Sequence, residues 1–311
     1  MASLIEPAPH PSWDRERYNE LLIERGDLTL YLTKLQHWAE ELENDNENKE
    51  GKKFDYPTVL FQILAIEHNN GKSYRNVEGF ARMICGIFHF PAPRWSTIWY
   101  RIQNLTSISL NKQNRTLSKS TIINGAVDSS GLKLNGPGEY LNDKHHPSKK
   151  KEYVKLHALV NTRTHQILVK VVTPGYNHDS PYFVPLVHTG IQHHRFGTIW
   201  ADRAYEGHDN FEVLSVNQIQ AGIELKKNAS TRTRGGSFAR SRTAWEIKRL
   251  GKKEWKKKMG YGNRWAVERT YSIYKLLFGE RLQARKWPYI QQEIYLKVAQ
   301  MNDYLSELYS E

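Results

Sequence analysis

Two β-rich runs constrain this chain most. "EYVKLHALVN" (152–161) and "HQILVKVVT" (165–173) are dense in β-branched residues and lie a short turn apart, which predicts an antiparallel hairpin. Strand candidates flank them: "TIINGAVD" ahead, ending in Asp128, and "FGTIWAD" (196–202) behind, ending in Asp202. "HDSPYFVPLVHTGI" (178–191) reads as a helix with Asp179 or Ser180 as N-cap and Pro181 at its start. "HDNFEVLSVN" predicts a helix, "QAGIEL" a short strand, and residues 288–309 a final amphipathic helix. Strands in hairpin order, then strands alternating with helices, predict an α/β fold with a mixed sheet and helices on its faces.

Upstream, residues 16–40 and 54–106 read helical. Ser73 is a candidate N-cap for "YRNVEGFARMI"; "FHFPAPRW" then breaks the chain before "STIWYRIQNL". Two helices around a break, with Arg94, Arg101 and Gln103 exposed, fit a helix-turn-helix. An ordinary helical core packed by Trp95, Ile98, Trp99 and Ile102 fits the same pattern. "AEELENDNENKEGKK" (39–53) reads as an exposed linker. The polar "NKQNRTLSKS" (111–120) reads as the join between a helical domain, 1–117, and the α/β domain, 118–311.

A chain of 311 residues is enough for two domains or one large one. The single cysteine, Cys85, excludes a disulfide framework and points to a reducing compartment. "MASLIEPAPH" lacks the basic and apolar regions of a signal peptide, and no apolar run approaches a membrane span. The net charge of +12 favours a polyanionic partner. That charge is concentrated: from Lys226 to Arg264 there are 14 Lys or Arg against Glu246 and Glu254. Residues 226–260, with "RTRGGSFARSRT" (232–243) at their heart, read as a mobile basic loop, either solvated or in contact with nucleic acid.

"YGNRWAVERTYSIYK" (261–275) carries a different signal. At about 100° per helical residue, Glu268, Lys275 and Tyr261 fall within about 60° of Arg264. An i,i+4 Arg–Glu pair on a solvated face is common, but it explains neither Tyr261 nor Lys275. Asp128 and Asp202, each alone, read as turn or cap residues. Together they occupy strand C-termini, where sheet proteins bind ligands. Three gathered carboxylates stay ionised only beside cations, and oxygen-only ligands suit Mg²⁺ or Mn²⁺. Two such ions about 3.5–4 Å apart serve phosphoryl transfer.

Other candidates are weaker. His145–His146 and His193–His194 are adjacent pairs without helical ligand spacing, and zinc is not expected. His157 reads as a satisfied structural histidine or as a residue lining the cleft, Glu206 as a turn residue or substitute carboxylate, and Trp200 as core. Trp265, beside Arg264, is placed to stack on DNA. No phosphate loop of Walker type is present, so ATP is not implied.

"AVDSSGLKL", "WADRAYEG" and the Y-x2-R-x3-E-x6-K spacing of Tyr261, Arg264, Glu268 and Lys275 resemble the DDE transposases of bacterial and archaeal insertion sequences. The likeness covers roughly residues 73–285 and includes "TPGYNHDSP". It implies an RNase H-like catalytic domain with Asp128 on the first strand, Asp202 after the fourth and Glu268 on a later helix. It also implies metal ligation by those three carboxylates and DNA contact by Tyr261, Arg264, Trp265 and Lys275. The expected activity is cleavage at terminal inverted repeats and strand transfer into target DNA, by a homodimer on DNA in a prokaryotic cytoplasm, at the nucleoid. An RNase H-like nuclease without strand transfer and a non-catalytic DNA-binding derivative are the alternatives.

Overall fold

A computed structural model describes residues 29–105, 121–134, 153–232 and 237–308. The expected linker at 111–120 and the His145–His146 pair lie outside the described residues.

The hairpin forms as expected. β2 (Tyr153–Asn161) and β3 (Ile167–Pro174) pair antiparallel, and β2 pairs antiparallel with β1 (Ile122–Leu134). β4 (Arg195–Ala201) lies parallel to β1 on its other side, β5 (Gln220–Ile223) parallel to β4, and β6 (Arg281–Leu282) parallel to the far end of β1. The order β3-β2-β1-β4-β5, with β2 running against the rest, is the RNase H-like arrangement that the resemblance implied.

Side-chain alternation divides the core between the two faces of the sheet. Ala126 and Ala158 face a cluster with α10 (Trp265–Phe278) and α11 (Trp287–Leu308). Val127 and Leu159 face the opposite cluster with α6 (Phe183–His193) and α7 (His208–Val216). Gly222 has a packing reason: a Cβ there would lie 2.2 Å from the Trp200 ring, so glycine lets the indole lie flat on β5. Trp200 is core, as expected, and its Nε1 donates to the Met259 carbonyl at 2.9 Å.

The helical region contains α1 (Thr29–Gln36), α2 (Trp38–Asn46), α3 (Thr58–Asn69), α4 (Tyr74–Ile87) and α5 (Trp95–Gln103). The Ser73 cap is present, accepting from the Asn76 N–H. Several expectations are corrected. The supposed linker at 39–53 is helical as far as Asn46, with Glu40 and Glu41 favourably placed in the first turn. Asn46 then ties the segment back by accepting from the Phe54 N–H at 2.7 Å. Arg101 and Gln103 are not free for a partner. The Arg101 guanidinium lies 3.8 Å from the Phe54 ring and donates to Thr58 Oγ1, while Gln103 donates to the Tyr74 hydroxyl at 2.9 Å. Trp95 is exposed rather than core, whereas Ile98 and Ile102 are buried.

The helical region is joined to α11. Leu296 sits in the helical core, and Gln292 Nε2 donates to the Ile102 and Leu105 carbonyls. Glu293 on the same helix is a buried, satisfied carboxylate: it accepts from the Gln283 and Ala284 N–H groups and from Lys297 Nζ.

The basic loop expected over 226–260 is mostly helix: α8 (Phe238–Leu250) and α9 (Lys252–Lys258). Ser237 caps α8 by accepting from the Arg240 N–H, Ala244 packs inward, and Trp255 is fully buried. Gly251, at φ +80°, makes the break between the two. Among the described residues no helix is long and apolar enough to cross a membrane.

Candidate active-site cleft

The two aspartates meet because two parallel strands part company beside them. The last β1–β4 pair is Val127 with Ala201, so Asp128 and Asp202 are the next residue on each strand. β1 does not end at Asp128 as expected. Its pairing with antiparallel β2 carries it on to Leu134, which fixes the Asp128 backbone from one side. Asp202 follows β4 directly and caps the next turn, Arg203–Tyr205, by accepting from the Ala204 N–H at 2.7 Å.

Tyrosines from the 261–278 segment brace both strand ends. The Tyr271 hydroxyl lies 2.8 Å from the carbonyl oxygens of both Asp128 and Leu156, shared between β1 and β2. The Tyr261 hydroxyl donates to the Ala201 carbonyl at 3.1 Å. Tyr261 therefore differs from its expected place on the helical edge. Residues Tyr261–Arg264 form a 3-10 turn ahead of α10, so the 100° step fails there and the ring is buried.

Glu268 lies in the first turn of α10 and is half exposed, with Arg264 Nη2 at 2.6 Å from Oε1. Arg264 also reaches Asp128, with Nη1 3.7 Å from Oδ2. Burial pushes the Asp128 carboxyl up to about 6, and repulsion from Asp202 and Glu268 adds to this. The Ser129 N–H and the Arg264 guanidinium oppose the shift.

These residues surround a cleft of about 950 Å³. Asp128, Asp202 and Glu268 line it with Tyr261, Arg264 and Trp265, and Arg203, Lys226, Lys256 and Lys257 supply its basic wall. Trp265 stands at the cleft 65% exposed. Lys275 is not among the lining residues. It lies farther along α10, 3.4 Å from Glu280, whose other oxygen holds Lys133 at 2.7 Å.

The donor set is oxygen-only, and burial beside two like charges gives Asp128 a need for a cation. That chemistry fits a hard divalent ion. The three carboxylates do not close around one point, and among the described residues no three His, Cys, Asp or Glu side chains converge to hold a metal. The cationic partner between Asp128 and Glu268 is Arg264.

Sequence reasoning missed Glu224, which follows β5 as Asp202 follows β4 and lines the same cleft. The signal was available in "QAGIEL", a third parallel strand run leading to a carboxylate. Lys252 and Lys256 both neutralise it. Glu206 is not a cleft-lining carboxylate. It binds Lys226 Nζ at 2.8 Å and Arg240 Nη2 at 3.4 Å, fastening the basic segment to the sheet. His157 is structural, as expected. It is buried, 2.9 Å from Thr173 Oγ1 and stacked on Tyr182, and burial pushes it down to about 4.

Residues 119–302 match a family profile described as "Transposase DDE domain", and residues 23–137 match a second profile with the same description. Among solved structures, the chain is similar to a piggyBac transposase synaptic complex with hairpin DNA. That likeness is 11% identical and covers 94% of this chain and 74% of that one, with a TM-score of 0.43. It also matches the Mos1 mariner paired end complex with Mn at 9% identity, over 82% of this chain and 90% of that one, with a TM-score of 0.24.

Proposed function

The chain belongs to the transposase DDE domain family, and from that premise we propose that it is the DNA transposase of an insertion sequence, of the branch with the Y-R-E-K signature, acting through Asp128, Asp202 and Glu268. One observation carries this reading: both aspartates follow the last β1–β4 pair and share a cleft with Glu268 and a basic wall. In this reading the three carboxylates hold divalent cations, Mg²⁺ or Mn²⁺ and two in number. When bound, such ions activate a nucleophile and stabilise a leaving oxygen in phosphodiester displacement.

The chain's own groups do the rest. Asp128 and Asp202 are presented at fixed strand positions. Glu268, on a helix and half exposed, would join the ligands by giving up its Arg264 pairing, and Arg264 would then be free to pair with a phosphate oxygen, a bidentate role that suits guanidinium. Lys257 neutralises the DNA backbone along the cleft, Trp265 contacts DNA at its exposed ring, and Lys275 contacts it farther along α10. Tyr261 acts through the strand end that it braces. The element's terminal inverted repeats and the target DNA are the substrates. Because two ends must be paired, the working form is a homodimer on DNA.

Supercoiled plasmid carrying the element's inverted repeats, incubated with Mg²⁺, tests this. The native protein is expected to give nicked and then joined products. Nicking without joining would assign the chain to hydrolytic nucleases. DNA binding with no cleavage would assign it to non-catalytic derivatives.

A further inference from the structure

The outer face of α8 carries a pattern that the cleft does not use. Phe238, Arg242, Trp245 and Arg249 follow one another at steps of four, three and four residues. They fall within about 60° of helical arc. All four are exposed, Phe238 at 71% and Trp245 at 56%, and the Arg249 guanidinium lies 5.3 Å from the centre of the Trp245 ring. The opposite face is buried through Ser241 and Ala244.

The helix is held firmly. Arg240 Nε donates to the Glu206 carbonyl at 2.7 Å, the Ser237 N–H to His208 Nδ1 at 3.0 Å, and Glu246 pairs with Lys258 of α9. A large aromatic exposed on a fixed helix exchanges apolar surface with water at no benefit to the fold.

We infer that this stripe is a binding face for an unpaired DNA strand, the two rings stacking on bases and the two arginines taking phosphates. Alternation of aromatic and cationic side chains is the chemistry that holds single-stranded nucleic acid, because every base offers a π-face once it is unstacked. The rings are seven residues apart, about 10.5 Å along the axis, which leaves room for a base between them. A duplex keeps its bases stacked and offers the rings little. A second copy of this chain is disfavoured by charge: the stripe's own Arg242 and Arg249 are joined by Lys248 and Lys253, and like faces would repel. The inference rests on the transposase reading only for the presence of DNA.

The test compares two labelled DNAs by fluorescence anisotropy: a blunt duplex of an element end, and the same duplex with a single-stranded extension. The native chain is expected to prefer the extended DNA by about tenfold. Phe238→Ala with Trp245→Ala should erase that preference and leave blunt-duplex binding unchanged, while Trp245→Phe should keep most of it. If the double variant does not fold, Arg242→Gln with Arg249→Gln carries the test: the preference must shrink and the salt slope must fall by about one to two. Equal binding of both DNAs by the native chain, or equal loss on both in the variant, overturns the inference alone. A change in oligomeric state with DNA binding intact overturns it in favour of a protein partner. If the native chain binds neither DNA, the transposase reading fails as well.

Discussion

Asp128 and Glu268 line one cleft but are built in opposite ways. Asp128 is half-buried on a strand, with its own carbonyl held by Tyr271 and its carboxylate by the Ser129 N–H. Glu268 stands on the first turn of a helix, half exposed, and its partner is a long arginine side chain. One carboxylate is set by backbone pairing, and the other by side chains free to rearrange. The difference teaches where a cleft of like charges keeps its precision and where it keeps its adaptability. The sheet end fixes position, and the helix edge leaves its carboxylate room to rearrange.

Removing charge from either side gives the largest expected effect. Asp128→Asn, Asp202→Asn and Glu268→Gln should each lower plasmid cleavage by more than about a hundredfold, since altering even an outer-shell partner of a metal site costs about 10–100-fold. DNA binding should survive in all three. Near-native strand transfer in any one would remove that residue from the ligand set.

Stability separates the two carboxylates more sharply. The Asp128 carboxyl is raised from its ordinary 3.8 to about 6. Its favourable contribution to stability is therefore complete below the lower value and lost as pH rises through the upper one. Asp128→Asn should raise stability at pH 8 by roughly 1–3 kcal/mol while removing activity. Thermal melts of the native chain and of Asp128→Asn at pH 4 and pH 8 check this, and an equal difference at both pH values would show that the Asp128 charge costs the fold nothing. Proton and cation compete for Asp128, so the Mg²⁺ concentration needed for half-maximal cleavage should rise as pH falls through about 6.

Tyr271→Phe tests the strand side. It leaves two carbonyl oxygens without their donor and should cost about 1–3 kcal/mol in urea unfolding. Unchanged stability would show that β1–β2 pairing alone holds the Asp128 backbone. The smallest effect is expected at Lys275. Lys275→Ala should weaken DNA binding a few-fold and lower the salt slope by about one, as for a single phosphate contact. A salt-independent loss would mean that Lys275 serves α10 through Glu280 instead.

Much of this was legible in the sequence, for physical reasons that differ by element. The β2–β3 hairpin was legible because β-branched runs separated by a short turn have few other options. The approach of Asp128 and Asp202 followed from two strand candidates ending alike. The burial of Tyr261 was not legible, because a 3-10 turn and an α-helix share the same residue preferences over four positions. The helices over 238–258 were hidden by their charge: a run of Lys and Arg looks like loop until Ala244 and Trp255 are seen to pack inward. The inward turn of Arg101 was hidden because its partners, Phe54 and Thr58, lie far from it in sequence.

The seat of Leu296 among the helices α1 to α5 has a consequence for the order of synthesis. Those helices leave the ribosome early, yet their core is completed by a side chain made much later, and Leu105 receives its bond from Gln292, 187 residues downstream. The helical bundle thus waits for the sheet to be threaded before it is sealed. A nascent chain cut short before α11 would present an unfinished helical bundle.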